Sequence, residues 1–422
     1  MTASSNVPVS AQTASTLTTN DRTAWFAVLV AALGYFVDVF DMWLFSNYRV
    51  ASLKDLGLSP EQITLRGAEL LNYQQAGFLI GGFFWGMMGD KRGRTSVMFG
   101  SIILYSIGTF MNAFAQDVTQ YAICRFVSGL GLAGEIGAGI TLVSELLPAN
   151  KRGWGTTLVT MLGVSGAIGA AAVAKFLHWQ TAYIIGGVLG FALLLLRVLV
   201  HESGIFGKLK CNTEIKRGSL RVLFGTWSRT FRYLCCVAIG VPIYLIFGIF
   251  AAFSPEIAKA LGVLEPVSVP DVMIYASIGV TLGDLLAGTL SQLVKSRRLP
   301  MQICMVCGLA ALLTLLRSGI TTPSEYAYLL GIAGLFSGYW ACLITTASEQ
   351  FGTNIRATAT TSIPNVIRGS AILLISGFAT LKLTGYDVAT AALILTGVTY
   401  TVSILGLLFL KESYGKELDF NE

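Results

Sequence analysis

The sequence predicts an all-α membrane protein of about twelve transmembrane helices in two six-helix bundles, with both termini cytoplasmic. Three observations lead there. Hydrophobic residues make up 54% of the chain and charged residues only 12%, about half of the ~25% usual in soluble domains, so much apolar surface has to face lipid. Apolar runs of ~20 residues, the length that crosses a bilayer, recur from end to end. Basic residues gather in alternate connections between those runs, the asymmetry that sets orientation in a membrane.

The runs fall near 24–46, 70–89, 96–115, 119–144, 156–176 and 180–200, then near 232–253, 271–293, 300–317, 325–347, 360–381 and 388–410. Residues 1–22 are polar, rich in Ser and Thr, and lack the basic start and apolar stretch of a cleaved signal. They are expected to form a disordered cytoplasmic tail. The polar interval 201–231 divides six runs from six. The expected organisation is a bundle over 23–200, a cytoplasmic linker over 201–231, a bundle over 232–410 and a cytoplasmic tail over 411–422.

With the N-terminus inside, the cytoplasmic connections carry Lys91, Arg92, Arg94, Lys151, Arg152, Lys295, Arg297, Arg298 and Arg356, plus a cluster from Lys208 to Arg232. The net charge of +6 therefore reads as loops beside an anionic leaflet, and nucleic acid is not an expected partner. The 46 glycines suit helices that must approach closely without a hydrophobic effect between them. Most of the seven cysteines sit in apolar stretches. Cys304 and Cys307 form a CxxC with no second pair or histidine beside it, which reads as packing rather than metal or redox chemistry. His178 and His201 are far apart. With no nucleophile triad, nucleotide loop or metal cluster, an enzyme is not expected, nor a metal or cofactor. GLGLAGE, although glycine-spaced, lies inside an apolar run and cannot be a dinucleotide loop.

The two halves echo each other. Gly86 to Arg94 reads GMMGDKRGR after the second run, and Gly288 to Arg298 reads GTLSQLVKSRR after the second run of the second half. Paired halves with a ligand between them are the plan of many alternating-access proteins.

Gly86, Gly89, Asp90, Lys91, Arg92, Gly93 and Arg94, lying between the second and third runs, resemble the loop signature of the major facilitator superfamily. Further stretches point the same way: DVFD with Asp38 and Asp41; RFVSGLGLAGE from Arg125 to Glu135; EQFGTNIRATATTSIPNVIRG from Glu349 to Gly369; HESGIF after the sixth run; and KESYGKEL at the tail. DVFD is similar to the DGxD of proton symporters for aromatic acids and metabolites. The resemblance implies a proton-coupled secondary transporter of the inner membrane that imports a small organic anion by rocker-switch alternating access, with protons as the coupling ion. A monomer in the bilayer is the expected state. Asp90, Arg94, Glu145 and Arg152 are the expected gating groups, with Asp90 pairing basic residues across the bundle and Glu145 joined to Arg152.

A charge in hydrocarbon costs at least a few kcal/mol, so each in-span charge needs a reason. Asp38 and Asp41 are three apart and share a helix face. Arg125 enters the fourth span at similar depth, and a carboxylate pair facing an Arg is a natural proton switch, because wetting or closing the cavity alters which carboxyl carries charge. Glu135, further along the same span, is a second candidate proton carrier. Arg368 lies at mid-depth in the eleventh span, where no acid is evident at its level and the nearest in-span acid is Asp284. An Arg in that setting invites a bidentate carboxylate or phosphate, and the resemblance implies the same role. Asn365 shares its face, while Tyr244, Tyr339 and Trp340 are candidates for an amphipathic lining. The fifth span, LGVSGAIGAAAVA, lacks the Gly–Pro motif of drug–proton antiporters, which favours uptake. The alternative is a proton-driven antiporter or exporter of a drug, siderophore or cationic solute.

Overall fold

The computed structural model describes residues 21–197 and 218–416, with Phe420 and Glu422. The expected tail before Asp21 and most of the expected linker lie outside the described residues. So does the side chain of Arg94.

The described chain is helical. In order it forms α1 (Asp21–Asp55), α2 (Pro60–Arg92), α3 (Arg94–Asn112), α4 (Val118–Leu132), α5 (Glu135–Leu146), α6 (Ala149–Val164), α7 (Gly166–Phe176) and α8 (Trp179–Arg197). The second half forms α9 (Leu220–Leu223), α10 (Trp227–Leu245), a π-helical turn (Ile246–Ala251), α11 (Ser254–Ala260), α12 (Val269–Leu293), α13 (Arg298–Arg317), α14 (Pro323–Ser337), α15 (Trp340–Gln350), α16 (Arg356–Leu383) and α17 (Val388–Phe409). Thus α9 and the start of α10 occupy the end of the interval expected to be linker.

Local chemistry sets the boundaries. Ser59 and Thr322 open α2 and α14 with capping boxes completed by Gln62 and Glu325, each followed by Pro at the first helical position, where its missing N–H costs nothing. Asp117 and Asp387 cap α4 and α17. Gly93 breaks α2 from α3 at φ 106°, a conformation that L side chains rarely adopt. The fourth, fifth and tenth runs are each split in two, at α4/α5, α6/α7 and α14/α15. In the seventh run the π turn follows Pro242, which cannot donate to the helical ladder.

Ten of these stretches are long and apolar enough to cross a membrane: α1, α4–α5, α6–α7, α8, α10 with its π turn, α12, α13, α14–α15, α16 and α17. The expected twelve would add α2 and α3, which miss that measure. Polar side chains account for the shortfall: Asn72, Gln74 and Gln75 in mid-α2, and Ser101, Ser106 and Thr109 in α3. Both helices are nonetheless packed inside the molecule, α2 against α4 and α16, α3 against α4 and α8. The α2–α4 approach depends on small residues, since a Cβ on Gly129 would strike the backbone of Gln74. Between the two halves of the sequence, α16 packs on α2 and α5, and α12 packs on α6 and α7.

Candidate functional site

A buried ion pair joins the halves at the centre of the molecule. Arg368 of α16 donates from Nη2 to Oδ2 of Asp38 on α1 at 3.0 Å, and both side chains are fully buried. The guanidinium lies 4.6 Å over the ring of Phe78 from α2. Asn365, one turn earlier, accepts from Arg368 Nη1 at 3.5 Å and donates to the carbonyl oxygens of Ala133 and Thr361. The pair is incomplete, because Asp38 Oδ1 and Arg368 Nε have no hydrogen-bond partner. One acceptor and one donor therefore remain open beside the pair.

The expectation that Arg368 lacks an in-span acid is corrected here. Its partner is Asp38, while Asp284 instead accepts from the backbone N–H of Ala341 at 2.9 Å, at the start of α15. Depth counted along single helices carries no information on which helices face one another across the two halves. The expected grouping of Asp38, Asp41 and Arg125 is accordingly divided. Arg125 stays with Asp41, at 3.6 Å from Oδ1, and donates to its backbone oxygen at 3.3 Å; Ser128 donates to Oδ2. The rings of Phe45 and Tyr183 flank that guanidinium. Glu135 pairs with Arg197 at the end of α8, both buried, in a space that exists because residue 34 is glycine. Arg197 was visible as an in-span charge, which was the signal for this pair.

Two small cavities adjoin the centre. One, of about 30 Å³, is lined by Tyr35, Val39, Trp43, Tyr244 and Trp340 among others. The other, of about 60 Å³, lies toward the end opposite the Asp90 loop, and the two share Met42, Trp43, Tyr244 and Phe247. Tyr244 and Trp340 meet edge to face at 6.4 Å. Tyr339 is absent from both linings and donates from its hydroxyl to Ile239 O at 2.8 Å. Metabolite pockets typically run to ~300–1,000 Å³, so a ligand needs the halves to part.

At the Asp90 end the halves are locked together. Asp90, at the end of α2, accepts from the backbone N–H groups of Ala357 and Thr358 at 3.0 and 2.8 Å and from the Thr358 hydroxyl at 2.7 Å. It caps α16 across the halves, where the helix dipole favours an anion. The expected partners were basic side chains; among the described contacts the partners include the N–H groups of a helix's first turn, which carry partial positive charge. Arg356 pairs with Glu145 at 3.3 Å, Arg152 with Glu349 at 3.5 Å, and Arg297 also holds Glu349 at 3.0 Å. The expected Glu145–Arg152 association thus becomes an exchange of partners. ELLPANKR (145–152) and EQFGTNIR (349–356) share one spacing, Glu-x6-Arg, and each Glu takes the other segment's Arg. Each Arg also donates to a carbonyl oxygen eight residues earlier, Arg152 to Ser144 and Arg356 to Ser348, both at 3.0 Å. The matched spacing was the overlooked sequence signal. Three hydroxyl contacts complete the seam: Thr141–Thr360, Thr156–Thr345 and Ser144–Ser348.

Apolar helices broken at mid-depth, with a buried ion pair joining two halves, define a multi-pass membrane protein built to move a solute. The chain belongs to the Major Facilitator Superfamily, whose sequence model matches residues 31–375; it is a transporter and not an enzyme. A Haemophilus influenzae protein with the provisional name of metabolite transport protein is 26% identical over 94% of this chain and 98% of its own length. The 3-(3-hydroxy-phenyl)propionate transporter of Escherichia coli is 29% identical over 67% of this chain and 69% of that one. The niacin transporter of Acinetobacter baylyi is 30% identical over 41% and 40%. Among solved structures, the proton:xylose symporter XylE bound to 6-bromo-6-deoxy-D-glucose superposes with a TM-score of 0.72, covering 95% of this chain and 98% of that one at 17% identity. At that identity the likeness is one of fold.

Proposed function

We propose that this protein imports a small organic anion together with protons. It would do so as a monomer in the plasma membrane, by alternating access between two six-helix bundles of twelve spans in all, with both termini and the Asp90 end facing the cytoplasm. The Asp38–Arg368 pair carries the reading. Arg368 needs a counter-charge where it is buried, and Asp38 supplies it while the site is empty. A proton on Asp38 releases Arg368, which then takes the substrate carboxylate in a bidentate contact. Loaded with both ligands, the site is as neutral as it was when empty. Loaded with one, it buries an unpaired charge, which costs several kcal/mol, so the half-loaded forms do not cross. That differential cost is what a ligand needs in order to drive a conformational change. Asp41 with Arg125 and Glu135 with Arg197 are the further candidates for the proton route, and Tyr244, Trp340 and Asn365 for the lining. The named acids of the E. coli and Acinetobacter relatives, one aromatic and one heteroaromatic, support a carboxylate substrate class.

The test is uptake of 3-(3-hydroxyphenyl)propionate and nicotinate into liposomes under an inward proton gradient. Wild type should accumulate one of them. Arg368→Ala should lose binding by roughly 10- to 100-fold, the value of a charge-assisted hydrogen bond. Asp38→Asn should still exchange the anion across the membrane but no longer concentrate it. If instead a cation or drug exchanges against protons and Arg368→Ala is without effect on it, the antiporter reading replaces this one.

A further inference from the structure

The larger cavity holds chemistry that the central pair leaves unused. It lies between α1, α2, the π turn and α16, in the half of the molecule away from Asp90, with Trp43, Phe247 and Phe253 as apolar walls. Its polar side is made by Arg49 and Gln74 together with Ser46, Asn72 and Gln75, of which Gln75 brings an unpartnered acceptor, Oε1. The Arg49 side chain, half-buried, makes no hydrogen bond or ion pair among the described residues, while its backbone oxygen accepts from Ser52 Oγ at 3.5 Å. Its stem lies on Gly67 of α2, where a Cβ would sit 2.6 Å from Arg49 Cδ. The glycine thus provides the groove that holds the side chain against the cavity. Gln74 is 1% exposed and its Nε2 has no partner. Two hydrogen-bond donors, one of them charged, converge on an apolar-walled space with no acceptor assigned to them. A buried donor such as Gln74 Nε2 is costly unless a ligand or water satisfies it.

We propose that this vestibule is a second carboxylate-binding station, in which Arg49 and Gln74 hold the carboxylate and Trp43, Phe247 and Phe253 cover the apolar body of the same substrate. The inference rests on the organic-anion reading given above and adds to it a site that the substrate occupies before the centre. The position fits that order. Trp43 and Phe247 meet in a tilted contact at 5.1 Å, with an interplanar angle of 38°, and border both cavities. Once the halves part at this end and the space widens, an anion at Arg49 waits on one side of the aromatic pair, with the surroundings of Arg368 on the other.

Equilibrium binding of labelled nicotinate and 3-(3-hydroxyphenyl)propionate to the full chain in nanodiscs tests this, alongside liposome uptake. Wild type should bind two molecules of the transported probe per chain. Arg368→Gln should retain one, at the vestibule, with transport lost. Arg49→Gln and Gln74→Leu should each retain the other, with KM for uptake raised roughly tenfold or more by Arg49→Gln, as for a lost charge-assisted hydrogen bond, and roughly three- to tenfold by Gln74→Leu, as for a lost neutral one, and the maximal rate within about twofold. Arg49→Lys should recover part of the KM. Gln74→Leu, close in shape to the native residue, guards against a folding defect in the Arg49 variant. A wild-type stoichiometry of one, with KM unmoved by either substitution, overturns the station and leaves the Arg368 reading standing. If no carboxylate binds to wild type at all, the organic-anion reading falls and the station with it.

Discussion

Asp90 shows how much one carboxylate can contribute at the residue scale. It satisfies two backbone N–H groups at the start of α16 from a different half of the chain. Loss of a helix cap costs about 1 kcal/mol, so Asp90→Ala should shift the equilibrium away from the sealed form by roughly fivefold. A cysteine at Ser144, fully buried in the seam, should then react correspondingly faster with a water-soluble maleimide; an unchanged rate would show that the cap does not hold the seam. Glu412 does a similar task at the tail. Although partial burial works against its charge, donation from Ser296 and from the backbone of Arg297, Tyr414 and Arg298 holds its pKa down from 4.5 to about 2. A depressed carboxyl stabilises the fold above its unfolded value and ceases to do so as pH falls through the folded one. Melting curves should therefore lose a contribution between pH 4.5 and about 2, and Glu412→Gln should flatten that segment. At this scale the sequence was informative about which charges are buried within spans, since an ionised group in an apolar run stands out. Their partners were hidden, because Asp38 and Arg368 lie 330 positions apart and a single helix does not say what faces it.

The elements were readable where caps and apolar runs mark them, as at Ser59 and Thr322, and unreadable where tertiary packing interrupts a helix. In the apolar run 119–144 the glycines of GLGLAGE are the local sign of the break at Ala133–Gly134, but glycines recur along the run and do not say which one breaks it; the break places Asn365 beside the Ala133 carbonyl. The π turn is of the same kind, a local irregularity of a sort that often marks functional sites. Close helix packing gives an element-scale prediction. At Gly129 the neighbour is backbone, which no rotamer change can move aside. Gly129→Leu should cost about 1–3 kcal/mol, as overpacked sites do, and lower the melting temperature in detergent. Unchanged melting would show that α2 and α4 can separate freely.

Across the whole molecule the seam depends on ion pairs that cross between the halves. Breaking a buried pair by removing one partner costs about 3–5 kcal/mol. Glu145→Gln should therefore weaken the sealed form more than the Asp90 substitution does. Exchanging the charges, Glu145→Arg with Arg356→Glu, should recover part of the loss, measured by the same maleimide rate. Failure to recover would mean that position, and not only sign, is specified. The all-helical, multi-pass organisation was legible from the apolar runs. The crossed pairing was not, although both segments carry it in their spacing.

That spacing has a consequence for symmetry. Each half offers one acid and one base at matched positions and receives the complementary pair in return, which is the arrangement of an isologous two-fold interface folded into a single chain. Such an interface is self-complementary. The ion-pair portion of the seam is specified twice over, once in residues 145–152 and again in 349–356, and a second copy of either segment, placed opposite the first, would find its own partners waiting.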